Sequence, residues 1–185
     1  MWKYEKKLQF PVNIKKSNPK LAKLIVSQYG GAQGELAAAL RYLNQRYTMP
    51  DAKGRALLTD IGTEELAHVE MICAILYQLT KNATPEEMKK AGFDPHYVEH
   101  NKALYPSDAN GIPFDIKYIS TTGDPVADIF ENMAAEQKAR AIYENIIDLT
   151  DDPDVLAPLL WLRQREIVHF NMFKELYEDY KKRGY

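Results

Sequence analysis

An all-α chain is what this sequence predicts: four long helices in two antiparallel hairpins, with one long crossover between helices two and three. Two observations carry the expectation. Apolar residues recur at three-to-four spacing through four long segments, and more than forty residues without that period, Asn82 to Asp124, separate the second from the third. A third observation narrows it. Glu35 is followed thirty positions on by Glu65 and then His68; Glu136 is followed thirty positions on by Glu166 and then His169. One pattern, a glutamate and then a distant Glu-x-x-His, is written twice.

The first segment runs from about Pro19 to Tyr47, with Leu21, Ile25, Tyr29, Ala32, Leu36, Ala39 and Leu43 on its apolar stripe. Gly30, Gly31 and Gly34 lie inside it. Each costs up to about 1 kcal/mol against alanine. Because the period continues on both sides, they read as places of close helix–helix approach rather than a break. Pro50 and Asp51 stop this segment and start the next. The second runs from about Ala52 to Lys81, with Leu57, Ile61, His68, Ile72, Ile75 and Leu79 on one stripe. The third follows Gly123-Asp124-Pro125 and reaches about Leu149, with Val126, Ile129, Met133 and Ile147. Asp151-Asp152-Pro153 ends it, and the fourth runs from Asp154 to about Lys182 through Leu159, Leu162, Phe173 and Leu176. Asp51 and Asp124 sit where N-caps are needed, and Pro125 suits a first helical position.

The interval 82–124 is too long for a tight turn and suits the single crossover of a ferritin-like four-helix bundle. A short helix is expected near Pro85–Ala91 and a strand-like run from Pro113 to Ser120. Long connections of this kind are usually functional or interface-forming. Residues 1–18 read as an N-terminal arm, irregular and aromatic through Trp2, Tyr4 and Phe10, and residues 19–182 as the bundle. The arm is expected to pack on its own bundle or on a neighbouring subunit.

This architecture brings the repeated residues together. Carboxylate and imidazole at i and i+3 project from one helix face, about 4.5 Å apart along the axis. Glu35 and Glu65 stand fifteen residues either side of Pro50, and Glu136 and Glu166 fifteen either side of Asp151. In antiparallel hairpins each pair therefore lies at one height, roughly 22 Å from its turn. Pairing the hairpins lets all six side chains meet in one layer, the arrangement of a dinuclear metal site. Buried carboxylates on apolar stripes would repel and lose solvation unless protonated or metal-bound. Carboxylate with imidazole and no thiolate suits manganese or iron. Solvated side chains or structural ion pairs are the plain alternative; they suit one Glu-x-x-His better than two at matched heights. Tyr42, two turns beyond Glu35, could hydrogen-bond a ligand or fill the core. Arg140, one turn beyond Glu136, could offset its charge or lie on the surface. His96 and His100, at i and i+4 in the crossover, read as a surface pair, and the remaining tyrosines as packing and interface residues.

The chain has 185 residues, 45% apolar and 27% charged, the profile of a soluble globule with one sizeable core. A net charge of −2 leaves no footprint for nucleic acid. Its one cysteine, Cys73, allows no disulfide within the chain and fits a reducing compartment at synthesis. No apolar run reaches the ~18 residues of a membrane span. The opening, MWKYEKKLQFPV, is basic but lacks the apolar stretch of a signal peptide, so synthesis in the cytoplasm is expected.

The stretches GGAQGELAAALRYLNQRY (30–47), LLTDIGTEELAHVEMI (57–72), GDPVADIFENMAAEQKARAIYENIIDLTDDPDV (123–155) and REIVHF (165–170) resemble the manganese catalases. With the opening residues, they resemble most closely the short spore-coat branch of that family. The likeness covers nearly the whole chain. It implies a ferritin-like bundle holding two manganese ions that disproportionates hydrogen peroxide to water and dioxygen. By position, Glu35 and His68 would serve one ion, Glu136 and His169 the other, and Glu65 would bridge both. Glu166, which the internal symmetry would make a ligand, would instead move protons. The likeness also implies a homo-oligomer, hexameric in the family, and association with other coat proteins in the spore coat. Two departures stand out. Full-length members carry a long C-terminal tail that wraps neighbouring subunits, whereas this chain ends at Tyr185; and some members have arginine immediately before the third glutamate, where this chain has Ala135. A di-iron oxidase or ferroxidase on the same bundle, and a structural coat protein with a vestigial site, are the competing expectations.

Overall fold

The computed structural model of the chain describes residues 3–5 and 7–185. Among them the long helices are α4 (Ala52–Thr80), α7 (Pro125–Ile147) and α8 (Pro153–Lys182), and the shorter α3 (Glu35–Gln45) fills the fourth place in the bundle. Before it come α1 (Pro19–Ile25) and α2 (Ser27–Gly30); in the crossover lie α5 (Pro85–Lys90) and α6 (Asp94–His100). Helices α3 and α4 form one hairpin, α7 and α8 the other. The caps are local. Asp51 accepts from the Gly54 amide, Asp124 from the amides of Val126 and Ala127, and Asp152 from the amide of Asp154. Each satisfies amides that a helix N-terminus leaves without partners.

The first segment is not one helix. The chain leaves helical geometry after Gly30, with Gly31 extended at ψ 164°, and α3 starts afresh at Glu35. The cause is close backbone approach. A Cβ on Gly30 would stand 2.2 Å from the Ser107 amide nitrogen in the crossover, and one on Gly31 2.4 Å from the Ser27 carbonyl oxygen. The glycines are thus explained by crowding from a loop and a tight turn, not by a neighbouring helix. At its far end α3 stops at Gln45 and tightens into a 3₁₀ turn, Arg46–Thr48.

The strand-like run also takes another form. Residues 113–120 make only an isolated bridge, Ser107 to Pro113, and a 3₁₀ turn at Ile116–Tyr118. Asp115 starts that turn by accepting from the Lys117 amide. With no strand beside it among the described residues, β propensity here has nothing to pair with.

Apolar side chains form two separate clusters. One gathers Ile25, Met71, Ile72, Ile75, Leu79, Tyr143, Ile146, Leu159 and Leu162; the other gathers Tyr42, Leu58, Ile61, Ile129, Phe173, Leu176 and Tyr180. Burying each large side chain stabilises the fold by roughly 1.5–3 kcal/mol. Along α4 the first cluster ends and the second begins on either side of Glu65 and His68; along α8 the gap falls at Glu166 and His169. The helices thus carry a polar layer between two apolar ones.

The N-terminal arm packs on its own bundle. Leu8, Phe10 and Val12 lie against the first cluster, and the Phe10 ring stacks on Trp161 at 5.7 Å. Gln78 donates to the Val12 carbonyl at 2.9 Å and accepts from the Ile14 amide at 2.6 Å. Trp2 lies outside the described residues. No helix among those described is long and apolar enough to cross a membrane.

Candidate metal centre

The polar layer holds Glu35 from α3, Glu65 and His68 from α4, Glu136 from α7, and Glu166 and His169 from α8, each no more than 2% exposed. The glycine turn contributes directly. By ending α2, it makes Glu35 the first residue of a new helix, where the positive end of the peptide dipoles favours a carboxylate. The i, i+3 spacing puts Glu65 beside His68 and Glu166 beside His169 on inward faces.

Glu65 lies at the centre. Its Oε2 is 2.8 Å from His68 Nδ1, and its Oε1 is 2.7 Å from His169 Nδ1. The two imidazoles lie face to face with centroids 5.6 Å apart. Glu35 Oε2 approaches His68 Nδ1 at 3.4 Å, and Glu136 Oε2 approaches His169 Nδ1 at 3.6 Å. Donor atoms converge in two overlapping groups: Glu35, Glu65, His68 and Glu166 in one, Glu65, Glu136 and His169 in the other, each within 4.8 Å. Glu65 belongs to both, and Glu166 stands with the first.

The fit to metal is tested by atoms lacking partners. Glu65 Oε1, Glu136 Oε2, Glu166 Oε1 and His169 Nδ1 are buried without a hydrogen bond. The short approach of His169 Nδ1 to Glu65 Oε1 is thus not aligned as one. Buried polar atoms are rarely left unpaired. Several aimed into one small volume, all oxygen or imidazole nitrogen, form the donor set of hard to borderline divalent cations. The residues present fit a pair of manganese or iron ions.

The buried carboxylates and imidazoles shift one another's protonation. Burial raises Glu35 to about 7, with the Glu65 charge adding to it. Burial and then neighbouring carboxylates raise Glu166 well above the usual range, and burial with the Glu65 charge raises Glu136. Burial opposes ionisation of Glu65 too, but the adjoining His169 and His68 hold it well below the ordinary value. The imidazoles respond in kind: against burial, the Glu65 charge and the other carboxylates push His169 up to about 12 and His68 well up.

Two tyrosines complete the layer. Tyr42 donates to Glu136 and Tyr143 donates to Glu35. The expectation that tyrosines other than Tyr42 are packing and interface residues therefore fails at Tyr143. The signal was present, since Tyr143 follows Glu136 by the same seven residues by which Tyr42 follows Glu35. Glu64, just before the central carboxylate, was also missed; it faces the outer nitrogen of both imidazoles. Arg140 pairs with Glu144 and Gln137, not with the site carboxylates. His96 and His100 lie together on α6, with His100 stacked on Tyr105 at 4.0 Å, and join neither donor group.

A cavity of about 10 Å³ adjoins the layer, lined by Gly34, Glu35, Ala38, Arg41, Tyr42, Ala135, Ala139 and Glu166. That is the space of about one water molecule. Ala135, the position before the third glutamate, forms part of its wall.

The profile of the family described as manganese containing catalase matches residues 1–184. The chain is 59% identical over 181 residues to Protein CotJC of Bacillus subtilis (strain 168), covering 98% of this chain and 95% of that protein. It is 34% identical over 186 residues to a probable manganese catalase of Clostridium acetobutylicum, covering 100% of this chain and 83% of that one. Among solved structures, wild-type KatB, a manganese catalase from Anabaena, superimposes with a TM-score of 0.91 at 34% identity, over 98% of this chain and 82% of that chain.

Proposed function

Because the chain belongs to the manganese catalase family, we propose that it disproportionates hydrogen peroxide to water and dioxygen at two manganese ions held in the polar layer. The observation that carries this reading is Glu65, buried between two imidazoles with one oxygen turned to each. In the proposed assignment Glu35, Glu65 and His68 would hold one ion, and Glu65, Glu136 and His169 the other, with Glu65 shared between the two donor groups.

When bound, the metal pair supplies the electrons exchanged with peroxide; the protein supplies position, exclusion of water and a proton carrier. The proton carrier is Glu166. Its Oε1 is buried without a partner, its side chain lines the adjoining cavity, and burial favours its protonated form. A carboxyl so placed can give a proton to one peroxide oxygen and take it from the other. Tyr42 and Tyr143 hold Glu136 and Glu35 by hydrogen bonds, which limits their rotation.

The resemblance to the spore-coat branch of the family, with 59% identity to Protein CotJC, supports a place in the spore coat, beside other coat proteins; the opening residues support synthesis in the cytoplasm. Residues 1–18 serve as an arm and 19–182 as the bundle of a closed homo-oligomer. Light scattering that gives a monomer over a wide concentration range overturns the assembly.

Metal analysis of the purified protein together with oxygen evolution from peroxide tests the activity. Two manganese ions per chain with rapid oxygen release is the expected result. Iron with oxidase or ferroxidase turnover would make the chain a di-iron oxidase on the same bundle, and metal without turnover would leave a structural coat protein.

A further inference from the structure

His68 and His169 both turn their second ring nitrogen toward one side chain that the proposed reaction does not use. Glu64 Oε2 is hydrogen-bonded to His169 Nε2 at 3.0 Å, and its Oε1 faces His68 Nε2 at 3.7 Å, an electrostatic approach beyond hydrogen-bond length to a buried nitrogen that has no hydrogen bond. Glu64 precedes the central Glu65 on α4, so it leaves the helix about 100° further round and reaches the imidazoles from outside. Its carboxylate is itself clamped. Arg165 donates Nε to Oε1 at 2.7 Å and Nη2 to Oε2 at 3.0 Å, a two-pronged grip. Gln9, from the N-terminal arm, donates to Oε1 at 2.6 Å.

The chemistry of this arrangement is directional. A carboxylate only accepts. In the neutral ring that metal binding requires, an imidazole whose Nε2 keeps its hydrogen toward Glu64 presents Nδ1 bare, and Nδ1 is the nitrogen turned toward Glu65 in both rings. Metal-ligating histidines are usually oriented in this way, one carboxylate to one ring. Here a single carboxylate faces two. The arm reaches the layer a second time, since Phe10 stacks on Trp161 and the Trp161 and His68 rings stand perpendicular with centroids 5.7 Å apart.

We propose that Glu64 is the positioning residue for both imidazoles, fixing which nitrogen each offers to the metals and tying the docked N-terminal arm to metal retention through Gln9. This rests on the reading of the layer as a two-metal site, and the test separates the two. Glu64→Gln keeps the shape but offers one acceptor oxygen in place of two. The manganese-loaded parent, Glu64→Gln, Glu64→Ala and Gln9→Ala are compared by manganese content, by the rate of manganese loss to a chelator, by the electron paramagnetic resonance of the bound ions, and by the thermal transition of the metal-free protein. For Glu64→Gln the expected result is an unchanged metal-free transition, a changed resonance spectrum and weaker retention by about 10–100-fold. Gln9→Ala moves retention the same way by less. Parental retention and spectrum in both Glu64 variants overturn the role of Glu64 alone. A parent that takes up no manganese overturns the reading of the site as well.

Discussion

Tyr143 on α7 donates its phenolic hydrogen to Glu35 at the start of α3, crossing from one helical hairpin to the other. The reverse crossing is made by Tyr42, which donates to Glu136. Each copy of the repeated pattern thus carries a tyrosine that steadies the glutamate of the other copy.

Tyr143→Phe and Tyr42→Phe should therefore have matching effects. Each removes one buried hydrogen bond to a carboxylate, worth about 1.5–3 kcal/mol. Both variants should fold, with a lower thermal transition and faster loss of manganese to a chelator. Parental retention in Tyr143→Phe beside clear loss in Tyr42→Phe would show that the reciprocal pair does not act as one.

Glu65→Ala should abolish both activity and dinuclear metal occupancy, because this carboxylate belongs to both donor groups. His96→Ala should leave both nearly unchanged, since His96 sits on α6 against Phe93 and His100. Elemental analysis with oxygen evolution decides; metal lost from the His96 variant and kept by the Glu65 variant would reverse the assignment.

For Glu166→Gln the expected outcome is close to two manganese ions with turnover slower by about 10²-fold or more, since glutamine keeps the size but cannot carry the proton. Glu166 stands among the donors of the first group, so the competing outcome is definite. Loss of one ion together with activity would make it a ligand.

A clasp at the far end of the bundle gives a pH test away from the metals. Asp51 accepts from the Gly54 amide at 2.8 Å, from Tyr180 at 2.9 Å and from Arg183 at 2.5 Å. The Gly54 amide and then the Arg183 guanidinium lower its carboxyl from 3.8 to about 2. A depressed folded value means that the ionised form is the one stabilised. Its contribution is full above the unfolded value and fades as pH falls toward 2. Asp51→Ala should cost about 1 kcal/mol near neutral pH, and the gap to the parent, both metal-free, should close between about pH 4 and pH 2. A gap that stays constant on thermal denaturation would assign the cost to something other than the charge.

Much of this was legible because helix geometry converts spacing into height. Glu35 and Glu65, equidistant from Pro50, needed no tertiary information to be placed level with each other. The break before Glu35 was not legible in that way, because the apolar period runs through the glycine turn without a slip, and the crowding that requires glycine comes from Ser107, far along the chain. Tyr143 could have been read by carrying the Tyr42 offset to the second copy. The hold on Glu64 by Gln9 and Arg165 joins three distant stretches of chain, and no local pattern announces it.

The division of the apolar interior into two clusters has a consequence for how the centre is specified. A helix displaced by one turn moves its side chains about 5.4 Å along the axis, enough to carry any of the six donors out of the layer. What opposes that slip is the packing of Leu58 and Ile61 on one side of the layer, and of Met71, Ile72 and Ile75 on the other, within the two apolar clusters that also take in Leu159, Leu162, Phe173 and Leu176 of α8. These hydrocarbon side chains act as a gauge. Much of the information that locates the centre is written in residues that never touch it, so a change of side-chain volume well away from the layer can detune the site while every donor remains in the sequence.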